Sequence, residues 1–116
     1  MPLRPKRGMV KPGPRPYVFK GQKETMMERI PFGRTGRMTT RLGFGAWAIG
    51  GTWGEVSFED AKATLHAALD AGMTFIDTAD VYGDGRSERI IREVLADRPG
   101  ERPLVATKAW RRLNPH

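Results

Sequence analysis

Apolar residues recur with the spacing of an α-helix in two segments of the chain. The apolar face of the first segment consists of Phe58, Ala61, Leu65, Ala68 and Leu69. The apolar face of the second segment consists of Ile90, Ile91, Val94 and Leu95. Because residues three and four positions apart lie on one side of a helix, each segment predicts a helix with one buried face.

Polar residues and glycines mark where these helices begin and end. Ser57, with Asp60 three residues later, is a near match to the capping box of a helix N-terminus. Gly72 suits the position just after a helix, where a left-handed conformation is common. Ser87 is expected to cap the second helix, and Pro99-Gly100 to break it.

Short segments between the helices predict strands. These are residues 41–48, 73–79 and 104–108, and an earlier pair, 29–32 and 38–40, predicts a hairpin around a glycine-containing turn. Alternating strands and helices with short connections indicate an α/β fold with parallel pairing and right-handed crossovers. From the pattern alone, an open doubly wound sheet and a closed (β/α)₈ barrel both remain open.

Charge divides the 116 residues into two parts. Residues 1–26 hold seven Lys or Arg, one acid and five of the nine prolines, so their net charge is +6. The other 90 residues hold 13 basic and 12 acidic side chains, a net charge of +1. We expect residues 1–26 to form an extended or disordered arm, residues 27–116 to form the domain, and the natural product to start at Met26 or Met27. The nearly neutral body gives no reason to expect nucleic acid as a partner.

Composition excludes several classes of chemistry. The chain has no cysteine, so disulfides, thiolate metal sites and thiol nucleophiles are excluded, and a cytoplasmic location is expected. No histidines and acids have metal-ligand spacing. The longest uncharged run, residues 42–54, is 13 residues long and rich in glycine. A membrane-spanning helix needs about 20 apolar residues, so we expect no membrane span.

A glycine pattern after the first predicted strand resembles a dinucleotide-binding fingerprint. Gly43 and Gly45, followed by Ala48, have the right spacing. The fingerprint requires a helix to begin there, however, and no helix is predicted before Ser57. We therefore expect these glycines to serve close backbone approach instead. Trp47, at the end of the same strand, fits either the core or the wall of a ligand pocket.

The residues with the clearest chemistry follow the second and third predicted strands. Asp77 and Lys108 occupy equivalent places in neighbouring parallel strands, where they are expected to be buried and to meet. A plain ion pair would explain these two alone. Tyr82, five residues after Asp77, lies in the loop over the strand ends, where its hydroxyl can approach Lys108. A free phenol titrates near pH ~10, and a nearby ammonium favours its phenolate form, so the group is suited to proton transfer.

Residues 27–116 resemble the amino-terminal third of an aldo-keto reductase, especially the branch that includes potassium-channel β-subunit relatives. The residues that carry the resemblance are Phe32-Gly33-Arg34-Thr35-Gly36, Leu42-Gly43-Phe44-Gly45, Asp77-Thr78-Ala79-Asp80-Val81-Tyr82-Gly83 with Ser87-Glu88, and Ala106-Thr107-Lys108. The lysine lies 26 positions after the tyrosine (108 − 82). This combination is highly specific for the family.

The resemblance implies a (β/α)₈ barrel whose early hairpin caps the bottom and whose top binds a nicotinamide cofactor. The cofactor is expected to be NADPH, with NADH not excluded. Asp77, Tyr82 and Lys108 match three members of the catalytic tetrad, with Tyr82 as the general acid that protonates a carbonyl oxygen. Gly45-Ala46-Trp47 and Asp77 would contact the cofactor, and Trp47 and Tyr82 would line the pocket of a small-molecule carbonyl substrate.

The resemblance also predicts what these residues lack. The fourth tetrad member, a histidine at the end of the fourth strand, has no counterpart, and a full barrel takes about 250 residues. We therefore expect an incomplete barrel, a fragment that is inactive on its own and is partly folded or self-associating through its unpaired strand edges. Two alternatives remain: a non-enzymatic remnant that acts as a binding or regulatory module, and one half of a split reductase completed by another polypeptide.

Overall fold

The computed structural model describes residues 27–51 and 54–109, so the predicted basic arm, residues 1–26, lies outside the described residues. The chain first forms a hairpin of β1 (Arg29–Pro31) and β2 (Met38–Thr40). The elements that follow are β3 (Phe44–Gly45), α1 (Phe58–Asp70), β4 (Phe75–Asp77), α2 (Arg86–Ala96) and β5 (Leu104–Ala106).

Strands β3, β4 and β5 form a parallel sheet in the order of the sequence. Helices α1 and α2 connect them and pack against each other, so both lie on the same face of the sheet. A doubly wound sheet places helices on both faces, whereas a (β/α)₈ barrel keeps them all on the outside. The arrangement therefore indicates part of a barrel.

The core lies between the sheet and the two helices, and the helical residues in it belong to the apolar faces that the periodicity predicts. The buried residues are Ala61, Leu65 and Leu69 of α1, Ile90, Ile91 and Val94 of α2, Ile76 of β4, and Ala46 and Ile49. The largest aliphatic side chains that are completely enclosed are Leu65, Ile76, Ile90 and Val94. Full burial of one such side chain stabilises the fold by about 1.5–3 kcal/mol relative to exposure.

Helix α1 begins and ends as predicted. The Ser57 hydroxyl accepts a hydrogen bond from the backbone N–H of Asp60 at 3.0 Å and donates one to its carboxylate at 2.7 Å. At the other end, Gly72 follows the helix with φ 101°, and its N–H donates to the carbonyl of Leu69 at 3.0 Å. A left-handed residue at this point closes the helix at little cost only when it is glycine.

The predicted first strand, residues 41–48, is wrong over most of its length. Only Phe44–Gly45 pairs with β4, because Ala48–Gly50 turns into a short 3₁₀ helix directly afterwards. No α-helix begins at the glycine pattern, as expected. Strand β2 has its predicted bounds, whereas β1, β4 and β5 are shorter than predicted, although β4 and β5 stay together beyond their ends. There the N–H of Thr78 donates to the carbonyl of Ala106 at 2.8 Å.

The prediction that Ser87 caps the second helix is wrong as well. The N-cap of α2 is Gly85, with φ 84°, and Ser87 lies inside the first turn. Its side chain is completely buried and faces the sheet, where its hydroxyl contacts the carbonyl of Ala46 and the hydroxyl of Thr78. Those inward partners compete with the backbone N–H groups that a capping serine would accept from.

The hairpin is fixed to the amino-terminal end of β4. The N–H of Thr40 donates to the hydroxyl of Thr74 at 2.9 Å, and the N–H of Thr74 donates to the hydroxyl of Thr40 at 3.0 Å. The rings of Phe32 and Phe75 are 5.6 Å apart between centroids. The hairpin thus covers the end of the sheet opposite to Asp77 and leaves the carboxyl ends of the strands open.

We expect Ser57→Ala to lower the free energy of unfolding by about 1 kcal/mol, because it removes the cap of α1. Ser57→Asn is the matched control, since it keeps a side-chain oxygen that can accept from Asp60. Urea unfolding at a constant slope measures both variants. Equal losses from alanine and asparagine would contradict a role for the hydroxyl as a cap.

Candidate active site

The structure brings Asp77, Tyr82 and Lys108 together at the carboxyl ends of β4 and β5. The Nζ atom of Lys108 donates to Oδ1 of Asp77 at 2.9 Å and to the carbonyl of Thr78 at 2.8 Å. The same Nζ lies 5.3 Å from the centroid of the Tyr82 ring, within the range of a cation–π interaction. The predicted meeting of these three residues is therefore found in the structure.

The sheet positions the lysine through its backbone. Asp77 pairs with Ala106 across the two strands, and the N–H of Asp80 donates to the carbonyl of Lys108 at 3.0 Å. Thr107, the residue before the lysine, donates from its hydroxyl to Oε1 of Glu88 at 2.6 Å. The residue before the lysine and the lysine's own carbonyl are thus both held by hydrogen bonds, and together they direct Lys108 toward Asp77.

Tyr82 lies in a tight turn between β4 and α2. Its N–H donates to the carbonyl of Ala79 at 3.2 Å, and its carbonyl accepts from the N–H of Ser87 at 3.2 Å. The three residues after the tyrosine all have positive φ, at Gly83 (64°), Asp84 (50°) and Gly85 (84°). Glycine adopts such angles readily and aspartate more readily than most other residues, so the sequence permits this turn.

Gly50 contacts the backbone of this turn, and this contact was not predicted from the sequence. A methyl group at position 50 would lie 2.8 Å from the carbonyl carbon of Tyr82 and 3.0 Å from the nitrogen of Gly83. The 3₁₀ helix therefore packs backbone against backbone on the tyrosine loop. The signal that the sequence contains for this contact is the pair of glycines at positions 50 and 51.

The predicted cofactor-contacting segment runs beside the same site. Gly45 pairs with Asp77, and the N–H of Ala46 donates to the carbonyl of Asp77 at 2.9 Å. Ala46 is fully buried and turned to the core. Trp47 is 47% exposed, and its ring lies 6.5 Å from that of Tyr82 between centroids. Trp47 is thus the member of the segment that presents its side chain to the open side.

The expectation that the ion pair is buried is wrong for this structure. The side chains of Asp77 and Lys108 are 45% and 42% exposed. They lie at the open ends of the strands, and β5 has no further neighbour within residues 27–51 and 54–109. The pKa of Lys108 is still raised above its ordinary 10.5, chiefly by the hydrogen bond to Asp77. Partial desolvation opposes this shift, and the Asp77 charge and Tyr82 add to it.

Other surfaces of the described part offer different features. A cavity of about 720 Å³ lies at the start of α1 and not at the Asp77–Lys108 pair; it is lined by Gly51, Gly54, Glu55, Val56, Ser57, Asp60 and Arg86. The described residues contain no group of three His, Cys, Asp or Glu side chains that could hold a metal ion. None of the described helices is long and apolar enough to cross a membrane.

Asp77→Asn should lower the pKa of Lys108, because it removes the carboxylate that favours the ammonium. A raised pKa contributes stability that is complete below about pH 10.5, the ordinary lysine value, and is lost as the pH rises through the folded-state value. Unfolding midpoints measured above about pH 10 should therefore fall less steeply with pH for Asp77→Asn than for the parent. Parallel curves would contradict the coupling.

Gly50→Ala should displace the Tyr82 turn. It should also lower the free energy of unfolding by about 1–3 kcal/mol, as overpacking of a close contact does. Gly50 is not among the glycines with positive φ, so this cost is steric. Gly45→Ala is the control, because a methyl group there would meet no atom within 4 Å. Amide chemical shifts of residues 79–85 and urea unfolding measure both effects. Shifts as small as those of Gly45→Ala would contradict the contact.

Comparisons with known proteins match the part of the chain that contains these residues. The model of the aldo/keto reductase family matches residues 41–115. Pyridoxal 4-dehydrogenase of Microbacterium luteolum is 40% identical over 84 residues, which are 72% of this chain and 24% of that protein. Aldo-keto reductase YhdN of Bacillus subtilis is 44% identical over 85 residues, 71% of this chain and 25% of that protein. A probable voltage-gated potassium channel subunit beta of Oryza sativa is 38% identical over 72% of this chain and 26% of that protein.

Solved structures give the same result for the fold. Glycerol dehydrogenase from Gluconobacter oxydans matches with a TM-score of 0.60 and 43% identity over 70% of this chain and 25% of that one. An aldo-keto reductase from Bacillus halodurans, in its holo form, matches with a TM-score of 0.62 and 25% identity. The match covers 72% of this chain and 26% of that one. The predicted resemblance and the fold class, an incomplete (β/α)₈ barrel, are confirmed. The chain spans about a quarter of the length of these curated relatives.

Proposed function

The chain belongs to the aldo/keto reductase family, and we propose that its Asp77–Tyr82–Lys108 group is the proton-donating part of an NAD(P)H-dependent carbonyl reductase. The family and its oxidoreductase relatives support a general oxidoreductase role. The observation that carries the finer proposal is the position of one ammonium. Lys108 bonds to the Asp77 carboxylate at 2.9 Å while it lies over the ring of Tyr82.

In this proposal Tyr82 gives its phenolic proton to the oxygen of an aldehyde or ketone. When bound, the nicotinamide supplies the hydride that the carbonyl carbon gains, so that carbonyl, hydride and proton together yield the alcohol. Lys108 stabilises the phenolate that Tyr82 becomes, and Asp77 keeps the ammonium charged and directed at the site. The exposure of Lys108 and Asp77 leaves a path by which water can return the proton.

The residues present fit the reactive end of such a cofactor. Trp47 offers a half-exposed flat ring beside Tyr82, and the exposed Gly45, with no side chain, leaves room next to Asp77. NADPH is the cofactor we propose first. A relative named NADH-specific methylglyoxal reductase, from Escherichia coli, is 38% identical to this chain, so NADH is the alternative to compare.

The relatives are about four times as long as the matched segment. We therefore propose that turnover requires further barrel strands, including one that carries the tetrad histidine, supplied either in a longer protein or by a complementing polypeptide in the cytoplasm. Without them the 116 residues should show no turnover. The alternative, a non-enzymatic binding or regulatory module, draws support from the relative that is named a potassium channel subunit. It predicts that Tyr82 is dispensable.

Fusion of the complete chain to the later three quarters of the Bacillus subtilis relative tests the proposal. The fusion protein should reduce a small aldehyde with NADPH, and Tyr82→Phe should lower kcat by about 10²–10⁴-fold because it removes the acidic proton. Val81→Ala, at an exposed position of the same turn, is the control and should leave the rate near that of the parent.

Two results would contradict the proposal. One is a fusion protein that binds NADPH but does not reduce aldehydes or ketones. The other is a Tyr82→Phe variant that reduces them as fast as Val81→Ala does. Parallel assays with NADH decide the cofactor.

A further inference from the structure

Ser87 lies at a position that links all three members of the proposed site. Its side chain is 0% exposed, and its Oγ lies 3.1 Å from the carbonyl oxygen of Ala46 and 2.8 Å from Oγ1 of Thr78. Thr78 is also enclosed, at 1% exposure. A buried hydroxyl is costly unless it is hydrogen-bonded, so these two hydroxyl groups depend on each other.

The direction of these hydrogen bonds follows from the chemistry of the groups. The Ala46 carbonyl can only accept, so Ser87 donates its single hydroxyl proton to it. Ser87 therefore has no proton left for Thr78, and the threonine hydroxyl must be the donor between the two. The result is a series of hydrogen bonds that runs in one direction, from Thr78 through Ser87 to Ala46.

The residues at both ends of this series of hydrogen bonds contact the site. The carbonyl of Thr78 accepts from Nζ of Lys108 at 2.8 Å. At the other end, the N–H of Ala46 donates to the carbonyl of Asp77 at 2.9 Å. Ser87 also acts directly, because its own N–H donates to the carbonyl of Tyr82 at 3.2 Å.

We propose that Ser87 is a positioning residue for Asp77, Tyr82 and Lys108, a role that rests on the function proposed above. The other buried residues of α2, Ile90, Ile91 and Val94, are all aliphatic. A serine at this one position fixes the depth and rotation of the helix against the ends of β3 and β4. It thereby sets the distance between the turn that carries Tyr82 and the carbonyl that Lys108 binds.

The test reads geometry in the full 116-residue chain by NMR. The signal is the nuclear Overhauser effect between the ε-methylene protons of Lys108 and the ring of Tyr82. Ser87→Ala and Thr78→Val, which each remove one hydroxyl, should lose most of this signal. Thr78→Ser keeps the hydroxyl and should retain it. Ser57→Ala is the control for stability, since it removes an exposed serine hydroxyl that caps the other helix.

Each outcome decides the proposal. Loss in Ser87→Ala and Thr78→Val, with retention in Thr78→Ser and Ser57→Ala, supports it. Retention in either of the first two variants overturns it, as does an equal loss in Thr78→Ser or Ser57→Ala, which would report general destabilisation. Absence of the signal in the unsubstituted chain overturns it too. Because no turnover is measured, an inactive fusion protein would overturn the proposed function and leave this result standing.

Discussion

The register of the parallel strands is the constraint on which the rest of the site depends. Asp77 is aligned with Gly45 on one side and with Ala106 on the other, so Lys108 follows just beyond the paired residues. A slip of one residue in β5 would turn every side chain of that strand to the opposite face and remove the ammonium from the carboxylate. The core residues of α1 and α2 secure the register of β4, because its Ile76 is buried among them.

The site also depends on the close approach of two backbone segments. Tyr82 reaches the lysine because the 3₁₀ helix at Gly50 packs directly on its turn, and because Gly83 and Gly85 accept left-handed angles. Neither condition involves a reactive side chain. The chemistry of the tyrosine is thus set by residues whose contribution is the absence of a side chain.

Local patterns in the sequence predicted a large part of this arrangement. The apolar periodicity identified both helices and their buried faces, and Ser57 and Gly72 marked the ends of α1 from signals within a few residues. The pairing of Asp77 with Lys108 was also predictable, because parallel strands bring equivalent positions together. Ser87 was misinterpreted because its partners, Ala46 and Thr78, lie 41 and 9 residues away, while the capping pattern is local. The exposure of the ion pair could not be predicted, since it depends on which strands flank β5.

The compactness of the site along the chain has a consequence for folding. Asp77 and Lys108 are 31 residues apart, and Tyr82 lies between them, so one strand–helix–strand unit contains all three groups. Closing a loop of this length costs only slightly more conformational entropy than closing a shorter one. We expect the ion pair to form only when β4, α2 and β5 dock together, so that the site is completed by the folding of this one unit.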